Sequence, residues 1–334
     1  MKNRKLVLSL TTFFIIVLGF VVLSCKSRQS QTEQPHLTIS LNSWIGWAPL
    51  YLAQEKGIFK KDGVSVDLTR IEDTGARKAT MIAGKVDGYA TSLDNFQLDS
   101  TEGVPGKIVM LFDESYGADG IVAKNSIRNV SDLKGKSVAF QPGLPSHFLL
   151  LQVLQDGGLT YKDIKPVDMD ADKAGPAFIA GTLDAAVTWE PWLTKASQSG
   201  HGHILVSTRE KPGVIVDALA FRNDVLSAKK QGVLAIVQAW FDALQYWKEH
   251  PQESEAIMAK SYSLSVQDFQ SQVSGVKFLD RTENLQMLGT TGKPGAAYTT
   301  FDTAGRFWKL TGVIQHDPTA SKDHIDPSFV ESAK

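Results

Sequence analysis

Residues 37–59 read LTISLNSWIGWAPLYLAQEKGIF, and they predict a strand, a polar turn and a helix in that order. The first five residues, LTISL, alternate apolar and polar side chains, which is the pattern of a half-buried β-strand. Pro49 fits the first turn of a helix, where its missing N–H is not needed, and Gly57 fits a helix end. A strand that leads directly into a helix is typical of α/β proteins.

Two tryptophans, Trp44 and Trp47, lie in the turn between this strand and this helix. Either could be a core residue, because tryptophan is highly buried on average. The turn after a strand is also where α/β proteins place ligand-binding side chains. Both tryptophans are therefore candidate ligand-binding residues.

The composition is that of a folded protein with room for two domains. The chain has 334 residues, of which 43% are apolar and 21% are charged. Its net charge of −1 gives no indication of nucleic-acid binding. Cys25 is the only cysteine, so the sequence predicts no disulfide framework.

The N-terminus has the pattern of a secretion signal. Basic residues at positions 2, 4 and 5 precede an apolar run over residues 6–22, and Ser24 and Cys25 follow. A small residue before a lone cysteine at this place resembles the bacterial lipobox, in which the signal is removed and the cysteine is lipidated. We therefore predict a lipoprotein signal peptide at 1–24, lipidation of Cys25 and a polar tether over 25–35, with an uncleaved anchor helix as the alternative.

A strand–helix–strand–helix–strand unit occurs twice in the sequence. The first copy runs from residue 37 to residue 91, and the second begins with a strand at 137–140. The triplet Ile-Ala-Gly occurs at 82–84 and again at 179–181, each time shortly before an aspartate and a predicted strand. This alternation predicts parallel sheets. The repeat predicts two lobes with the same core, although coincidence is the alternative, because α/β units share their turn chemistry.

The order of these elements predicts the residues of each lobe. We expect lobe I over 36–118 plus 221–334, where the helical part from about residue 225 closes it, and lobe II over 119–220. Ligands of parallel sheets bind beyond the carboxyl ends of the strands. Four loops are therefore expected to face a cleft between the lobes, namely those around Trp44, Asp94, Ser146 and Glu190.

The sequence contains no motif of a common enzyme class. It has no G-x-S-x-G, Walker or H-E-x-x-H sequence. His201 and His203 could hold a metal, but no third ligand with suitable spacing accompanies them. The carboxylates of the expected cleft lack a nucleophile. We therefore expect no enzyme, no metal site and no cofactor.

Residues 189–192, Trp-Glu-Pro-Trp, are the strongest local indication of a ligand. A glutamate between two tryptophans at a strand end would be partly desolvated and would need a cation or several donors. A structural ion pair of Glu190 is one explanation, and a cationic ligand against an indole face is the other. Ser146 also has two interpretations, as a helix N-cap or as part of a site for an anion.

Three motifs resemble those of the substrate-binding proteins of ABC importers. They are WIGWAPLYLA-x-x-x-GIF at 44–59, AG-x-x-DAAV at 180–187 and VDALAFR at 216–222. The group that they resemble handles taurine, alkanesulfonates, nitrate and thiamine-precursor pyrimidines. The resemblance implies a two-lobed periplasmic-binding-protein fold of type II, in which each lobe is a mainly parallel sheet flanked by helices. It also implies a permease and an ATPase as partners.

The same resemblance implies a set of solute-binding positions between the lobes. Nine residues are expected there: Trp44, Trp47, Ser92, Asp94, Ser146, His147, Trp189, Glu190 and Asp217. Several of them are acidic, and no lysine or arginine lies between residues 141 and 161. We therefore predict a small cationic solute such as guanidine, an amine or an aminopyrimidine. A taurine, alkanesulfonate or nitrate ligand is the alternative.

The sequence thus predicts a solute-binding protein that is held at the extracytoplasmic face of a membrane by a lipid anchor. We expect it to act as a monomer, to capture a small molecule by closure of two lobes, and to bind no nucleic acid. A pyrimidine-synthesis enzyme on the same fold and a sensor domain are the alternatives from other classes.

Overall fold

The computed structural model describes residues 34–334. The predicted signal peptide, Cys25 and most of the predicted tether lie outside the described residues. In the described part of the chain, no helix has both the length and the apolar character needed to cross a membrane.

The strands of residues 34–334 form two mixed sheets and a small hairpin. In chain order they are β1 His36–Leu41, β2 Ser65–Arg70, β3 Gly88–Ser92, β4 Lys107–Ser115, β5 Asp119–Lys124, β6 Ser137–Phe140, β7 Lys165–Asp168, β8 Ala185–Trp189, β9 Gly202–Ser207, β10 Val216–Phe221, β11 Val276–Phe278, β12 Gly289–Thr290 and β13 Lys293–Pro294.

The α-helices of the same residues alternate with these strands and then dominate the C-terminal part. They are α1 Ala48–Glu55, α2 Ile58–Lys61, α3 Thr74–Ile82, α4 Leu93–Thr101, α5 Pro145–Asp156, α6 Ala171–Ile179, α7 Trp192–Ser197, α8 Asn223–Ala228, α9 Lys230–Glu249, α10 Pro251–Ser261, α11 Val266–Val273, α12 Arg281–Leu288, α13 Ala296–Thr311, α14 Ser321–His324 and α15 Ser328–Ser332.

Each sheet is built on three parallel strands. The first sheet has the order β11-β4-β10-β3-β1-β2, and the second has the order β7-β6-β8-β5-β9. Strands β2, β1 and β3 run parallel, as do β7, β6 and β8, whereas the remaining neighbours pair antiparallel. The predicted α/β fold with two lobes is confirmed, and its sheets are mixed, with a parallel core in each.

The two parallel cores repeat the same order of strands and helices, and they also share an equivalent carboxylate hydrogen bond. The Asp87 carboxylate accepts from the Thr38 N–H of the first strand at 2.8 Å and pairs with Lys229 at 2.9 Å. In the second core, the Asp184 carboxylate accepts from the Ser137 N–H at 3.0 Å and pairs with Lys124 at 2.9 Å. The two Ile-Ala-Gly triplets lie at equivalent helix ends, where the glycines adopt φ values of 67° and 79°. A left-handed residue that ends a helix is usually glycine, because other residues are strained there.

The chain crosses between the sheets twice. It leaves the first sheet after β4 and returns to it as β10, whose residues 216–221 pair with both β3 and β4. The sequence places residues up to 220 in lobe II, but β10 is hydrogen bonded in the first sheet. We therefore propose that lobe II ends before Val216.

The C-terminal helices cover the first sheet. Trp240 of α9 is fully buried, and its ring centroid lies 4.7 Å from that of Phe112 in β4. Its indole N–H donates to the Leu279 carbonyl at 3.3 Å. Trp240 is therefore a core residue that joins α9 to the first sheet.

Replacing the strand-linking carboxylates should destabilise both lobes. We expect Asp87→Ala and Asp184→Ala each to lower the free energy of unfolding by about 1–3 kcal/mol, because each leaves a strand N–H and a lysine without their partner. Urea unfolding checks this, with Asp317→Ala at a side chain that is 98% exposed as the control. Asp87→Ala and Asp184→Ala variants as stable as that control would contradict the proposed role.

Candidate cleft between the two sheets

One amide side chain holds the loop between β1 and α1. Asn42 Oδ1 accepts hydrogen bonds from the Trp44 backbone N–H at 3.2 Å and from Trp47 Nε1 at 2.7 Å. The Trp47 ring is buried and contacts the edge of the Phe112 ring, with centroids 5.1 Å apart. Trp44 is half-buried, and the Tyr262 hydroxyl donates to its carbonyl at 2.8 Å. Trp47 therefore joins the cleft to the core, while the Trp44 ring is the more exposed of the two.

Gly46 allows an unusually close approach within this loop. A Cβ atom at Gly46 would lie 2.3 Å from both Asp113 Oδ2 and Trp44 Nε1. A side chain at this position would therefore displace the carboxyl group, the indole or the backbone. The glycine of the WIGW motif thus lets the Trp44 indole lie beside the Asp113 carboxyl group.

A cleft of about 620 Å³ lies at the carboxyl ends of the parallel strands of both sheets. Ser92 ends β3, Trp189 ends β8, and Asp217 lies at the start of β10, so strands of both sheets contribute to its walls. The position agrees with the rule that ligands of α/β proteins bind beyond strand carboxyl ends.

Seven of the nine predicted ligand-binding residues line this cleft, and two lie behind its wall. The seven are Trp44, Trp47, Ser92, Ser146, Trp189, Glu190 and Asp217. Asp94 and His147 are fully buried in the helices next to it. A role in solute binding stays a prediction for all nine residues.

Glu190 has its hydrogen-bond partners within its own helix turn. Its two carboxylate oxygens accept from the Thr194 N–H at 3.1 Å and from the Thr194 hydroxyl at 2.6 Å. The neighbouring Trp192 ring is covered by the Lys195 ammonium group, 4.7 Å from its centroid. Among the described residues Glu190 therefore has local donors and no ion pair, so its burial alone does not require a cationic ligand.

Ser146 and His147 stabilise the start of α5 in a way that differs from the expected N-cap. The N-cap position is Leu144, and Ser146 Oγ accepts instead from the Gln141 backbone N–H at 3.0 Å. His147 stacks on Phe140 with ring centroids 4.6 Å apart, and its Nδ1 accepts from the Gly143 N–H at 3.2 Å. Burial lowers the pKa of His147 to about 4, so its imidazole is neutral.

Four buried carboxyl groups surround the base of the cleft: Asp94, Asp113, Asp119 and Asp217. Burial raises the pKa of Asp94 and of Asp113 to about 7, and that of Asp119 to about 6. Burial and the nearby charge of Asp113 raise the pKa of Asp217 well above its usual range. Within residues 34–334, none of the four forms an ion pair with a lysine, arginine or histidine within 4.0 Å.

Arg77 is a cleft residue that the sequence-based prediction did not include. It lies in α3, it is only 5% exposed, and it lines the cleft. One guanidinium nitrogen donates to the Ala90 carbonyl at 2.9 Å and another to the Thr74 hydroxyl at 3.5 Å. Nε has no hydrogen-bond partner, and no carboxylate of the described residues lies within ion-pair distance. The cleft therefore contains a buried positive charge without a counter-ion.

The position of Arg77 follows from helix geometry. Asp73 caps α3 by accepting from the Ala76 N–H at 2.7 Å, so Arg77 falls in the first turn after the cap. Helical side chains tilt toward the N-terminus, which here faces the carboxyl ends of the strands. The sequence signal for this position is an arginine in the first turn of α3, the helix that follows the parallel strand β2.

The N-terminal turns of four helices also border the cleft. Lining residues come from the first turns of α3, α4, α5 and α6: Thr74, Gly75, Asn95, Pro145, Ser146 and Asp172. Helix N-termini carry partial positive charge and free N–H groups, which favour anions. The cleft thus contains a guanidinium group and helix N-termini, which attract an anion. It also contains carboxyl groups, which repel an anion unless they are protonated.

The geometry is that of a two-lobed binding protein, and the profile of the NMT1-like family matches residues 30–263. The chain belongs to the NMT1-like family.

Relatives with known structures and names agree on the fold. The chain is 33% identical to a candidate aliphatic sulfonates-binding protein of Escherichia coli (strain K12) over 193 residues, which span 52% of this chain and 58% of that protein. It is 24% identical over 330 residues to a protein of Bacillus subtilis (strain 168) with the same description, with 96% and 95% coverage. The crystal structure of the periplasmic aliphatic sulphonate binding protein SsuA from Escherichia coli superposes with a TM-score of 0.72 at 20% identity, covering 87% of this chain and 92% of that one. This likeness confirms the periplasmic-binding-protein fold.

Enlarging Gly46 should disturb the cleft. We expect Gly46→Ala to change the intrinsic tryptophan fluorescence and to lower the melting temperature, because its methyl group would displace the Trp44 indole or the Asp113 carboxyl group. Ser43→Ala in the same loop is the control, because the exposed Ser43 side chain bonds only to Glu72. Wild-type fluorescence and melting in Gly46→Ala would show that the loop tolerates a side chain here.

Proposed function

We propose that this protein captures a small aliphatic sulfonate outside the cytoplasm and delivers it to the permease of an ABC importer. The observation that carries this proposal is the buried Arg77 guanidinium, which lines the cleft without a counter-ion. Arginine keeps its charge in a protein interior, and a buried charge is costly unless it is paired. An anionic group of the solute would supply the missing partner.

Two further donors lie with Arg77 in the cleft wall. Trp44 Nε1, Ser92 Oγ and Arg77 Nε are buried atoms of cleft-lining residues and make no hydrogen bond of normal geometry. Trp44 and Ser92 also face the carboxyl groups of Asp113 and Asp94. A sulfonate group has three oxygens that accept hydrogen bonds, and charge-assisted bonds of this kind are strong. The first turns of α3 to α6 would add backbone N–H groups and partial positive charge.

The relatives support the same ligand class. Those named above are described as binding aliphatic sulfonates, and all of them are binding proteins. We infer from this that the protein binds its solute without converting it.

A cationic solute such as guanidine is less well supported than the sequence suggested. Glu190, the main reason for predicting a cation, is bonded to Thr194. Burial raises the pKa values of Asp94, Asp113 and Asp217 at the base of the cleft, which lowers their negative charge near neutral pH. Arg77 is the one lysine or arginine among the described lining residues, and it has no counter-ion.

Capture would proceed by closure of the two lobes around the solute. The chain crosses between the sheets at the β4–β5 junction, near Ala118, and again just before Val216. These two crossings are the segments that would bend, with the cleft beside them. The lipid anchor at Cys25, the extracytoplasmic location, the monomeric state, and the permease and ATPase partners remain predictions from the sequence and the family.

Removing the charge of Arg77 should weaken sulfonate binding. We expect wild-type protein to bind ethanesulfonate or taurine in isothermal titration calorimetry, and Arg77→Gln to bind about ten- to a hundredfold more weakly, the usual value of a charge-assisted hydrogen bond. Arg306→Gln is the matched control, since Arg306 is exposed and contacts only Thr303. A thermal melt of each variant reports whether it is folded.

Titration of guanidinium chloride at low millimolar concentration separates the two ligand classes. Binding of guanidinium without binding of either sulfonate would reject the proposed function. Sulfonate binding that Arg77→Gln leaves unchanged would reject the role of Arg77 while keeping the ligand class.

A further inference from the structure

Asp113 and Asp217 form a carboxyl pair at the base of the cleft. They are direct cross-strand partners on the antiparallel strands β4 and β10. Directly opposed residues point to the same face of a sheet, with Cβ atoms about 4.5–5.5 Å apart. Asp113 is fully buried, and Asp217 is 7% exposed and lines the cleft. Two carboxyl groups are thus held beside each other out of bulk water.

The surroundings of this pair offer almost no compensation for negative charge. The charged and titratable groups that face it are Asp94 of α4, Glu114 of β4, Asp119 of β5, Tyr262 directly after α10 and Arg77 of α3. Arg77 is the one cation in this set, and it forms no ion pair with either aspartate. The Trp44 indole lies beside the Asp113 carboxyl group, but no hydrogen bond of normal geometry reaches either Asp113 oxygen. A proton between the two carboxyl groups would supply a donor and remove the repulsion.

We propose that Asp113 and Asp217 share one proton in the solute-free protein and take up a second one when a sulfonate binds, so that solute capture is proton-coupled. This inference rests on the proposed function, because it takes the solute to be an anion. The pair then acts as a determinant of affinity. With two protons it is neutral and can donate an O–H hydrogen bond toward the cleft, whereas with one shared proton it carries a negative charge that repels the sulfonate.

The sign of the pH dependence follows from the position of the charges. Burial raises the pKa of Asp113 to about 7 and that of Asp217 well above its usual range. A sulfonate is anionic at every pH from 5 to 9, and a bound anion would raise the pKa of nearby carboxyl groups further. The affinity for the sulfonate should therefore rise as the pH falls from about 8 toward 6. It should level off once the solute-free pair already holds both protons.

A solute that carries an ammonium group beside these carboxylates would give the opposite sign. It would lower their pKa values, release protons on binding and bind more weakly at low pH. Ethanesulfonate is therefore the best probe, because it has no group that titrates between pH 5 and 9 and every proton exchanged belongs to the protein.

Calorimetric titration of ethanesulfonate into the full folded protein tests the inference. We expect the dissociation constant to fall by up to tenfold per pH unit between pH 8 and 7. At pH 7.5 the binding heat should differ between imidazole and Tris by the heat of up to one proton taken up from the buffer. Neither buffer contains a sulfonate that would compete for the cleft.

Variants assign the proton to the pair. Asp217→Asn should abolish most of the pH dependence and of the buffer-dependent heat, and Asp113→Asn should do the same if Asp217→Asn fails to fold. Asp317→Asn, at a side chain that is 98% exposed, should keep the wild-type profile.

The outcomes are distinct. Binding of ethanesulfonate with proton uptake that Asp217→Asn removes supports the proposal. Binding that is independent of pH, or that releases protons, overturns the proton coupling and leaves sulfonate capture in place. Absence of binding for both ethanesulfonate and taurine at every pH overturns the proposed function and the coupling with it.

Discussion

The cleft depends on one buried guanidinium group. Arg77 cannot lose its charge, and its hydrogen bonds to Ala90 and Thr74 are to neutral oxygens. At a separation of 5 Å and an effective dielectric constant of about 20, one unit charge attracts an opposite charge by about 3 kcal/mol. An anion that entered the cleft near Arg77 would gain an interaction of this size, and within the described residues no side chain forms an ion pair with Arg77.

The precision of the cleft comes from the duplicated cores that carry its loops. In each core a carboxylate, Asp87 or Asp184, fixes the first strand to the start of the third. The cleft loops follow the carboxyl ends of these strands, so each link helps to fix the relative positions of two loops. On the first lobe, Asn42 adds a local constraint by bonding both Trp44 and Trp47. Rigid strand ends with short loops place donors accurately, which is what a binding site for a small solute requires.

Much of the fold could be predicted from the sequence, because it depends on local patterns. The alternation in LTISL, the two Ile-Ala-Gly triplets and the spacing of the glycine stops each reflect one strand or one helix end. The pairing of β10 with the first sheet could not be predicted this way, since a buried strand reads the same in either lobe. Most of the predicted loop positions meet at the cleft. The hydrogen bonds of Glu190 and Ser146 differ from the expected ones, because Thr194 and the Gln141 backbone are their partners and no sequence motif indicates these contacts.

The number of acidic residues around the cleft favours a cationic solute only if every carboxyl group is ionised. Four ionised aspartates around one arginine would give the base of the cleft a net charge of about −3, and each would oppose a sulfonate by up to about 3 kcal/mol at 5 Å. Burial changes this balance. Burial raises the pKa of Asp94 and of Asp113 to about 7 and that of Asp217 well above its usual range, so part of this negative charge is lost near neutral pH and more of it as the pH falls. The charge of such a cleft therefore depends on desolvation, which a count of acidic residues in the sequence does not contain.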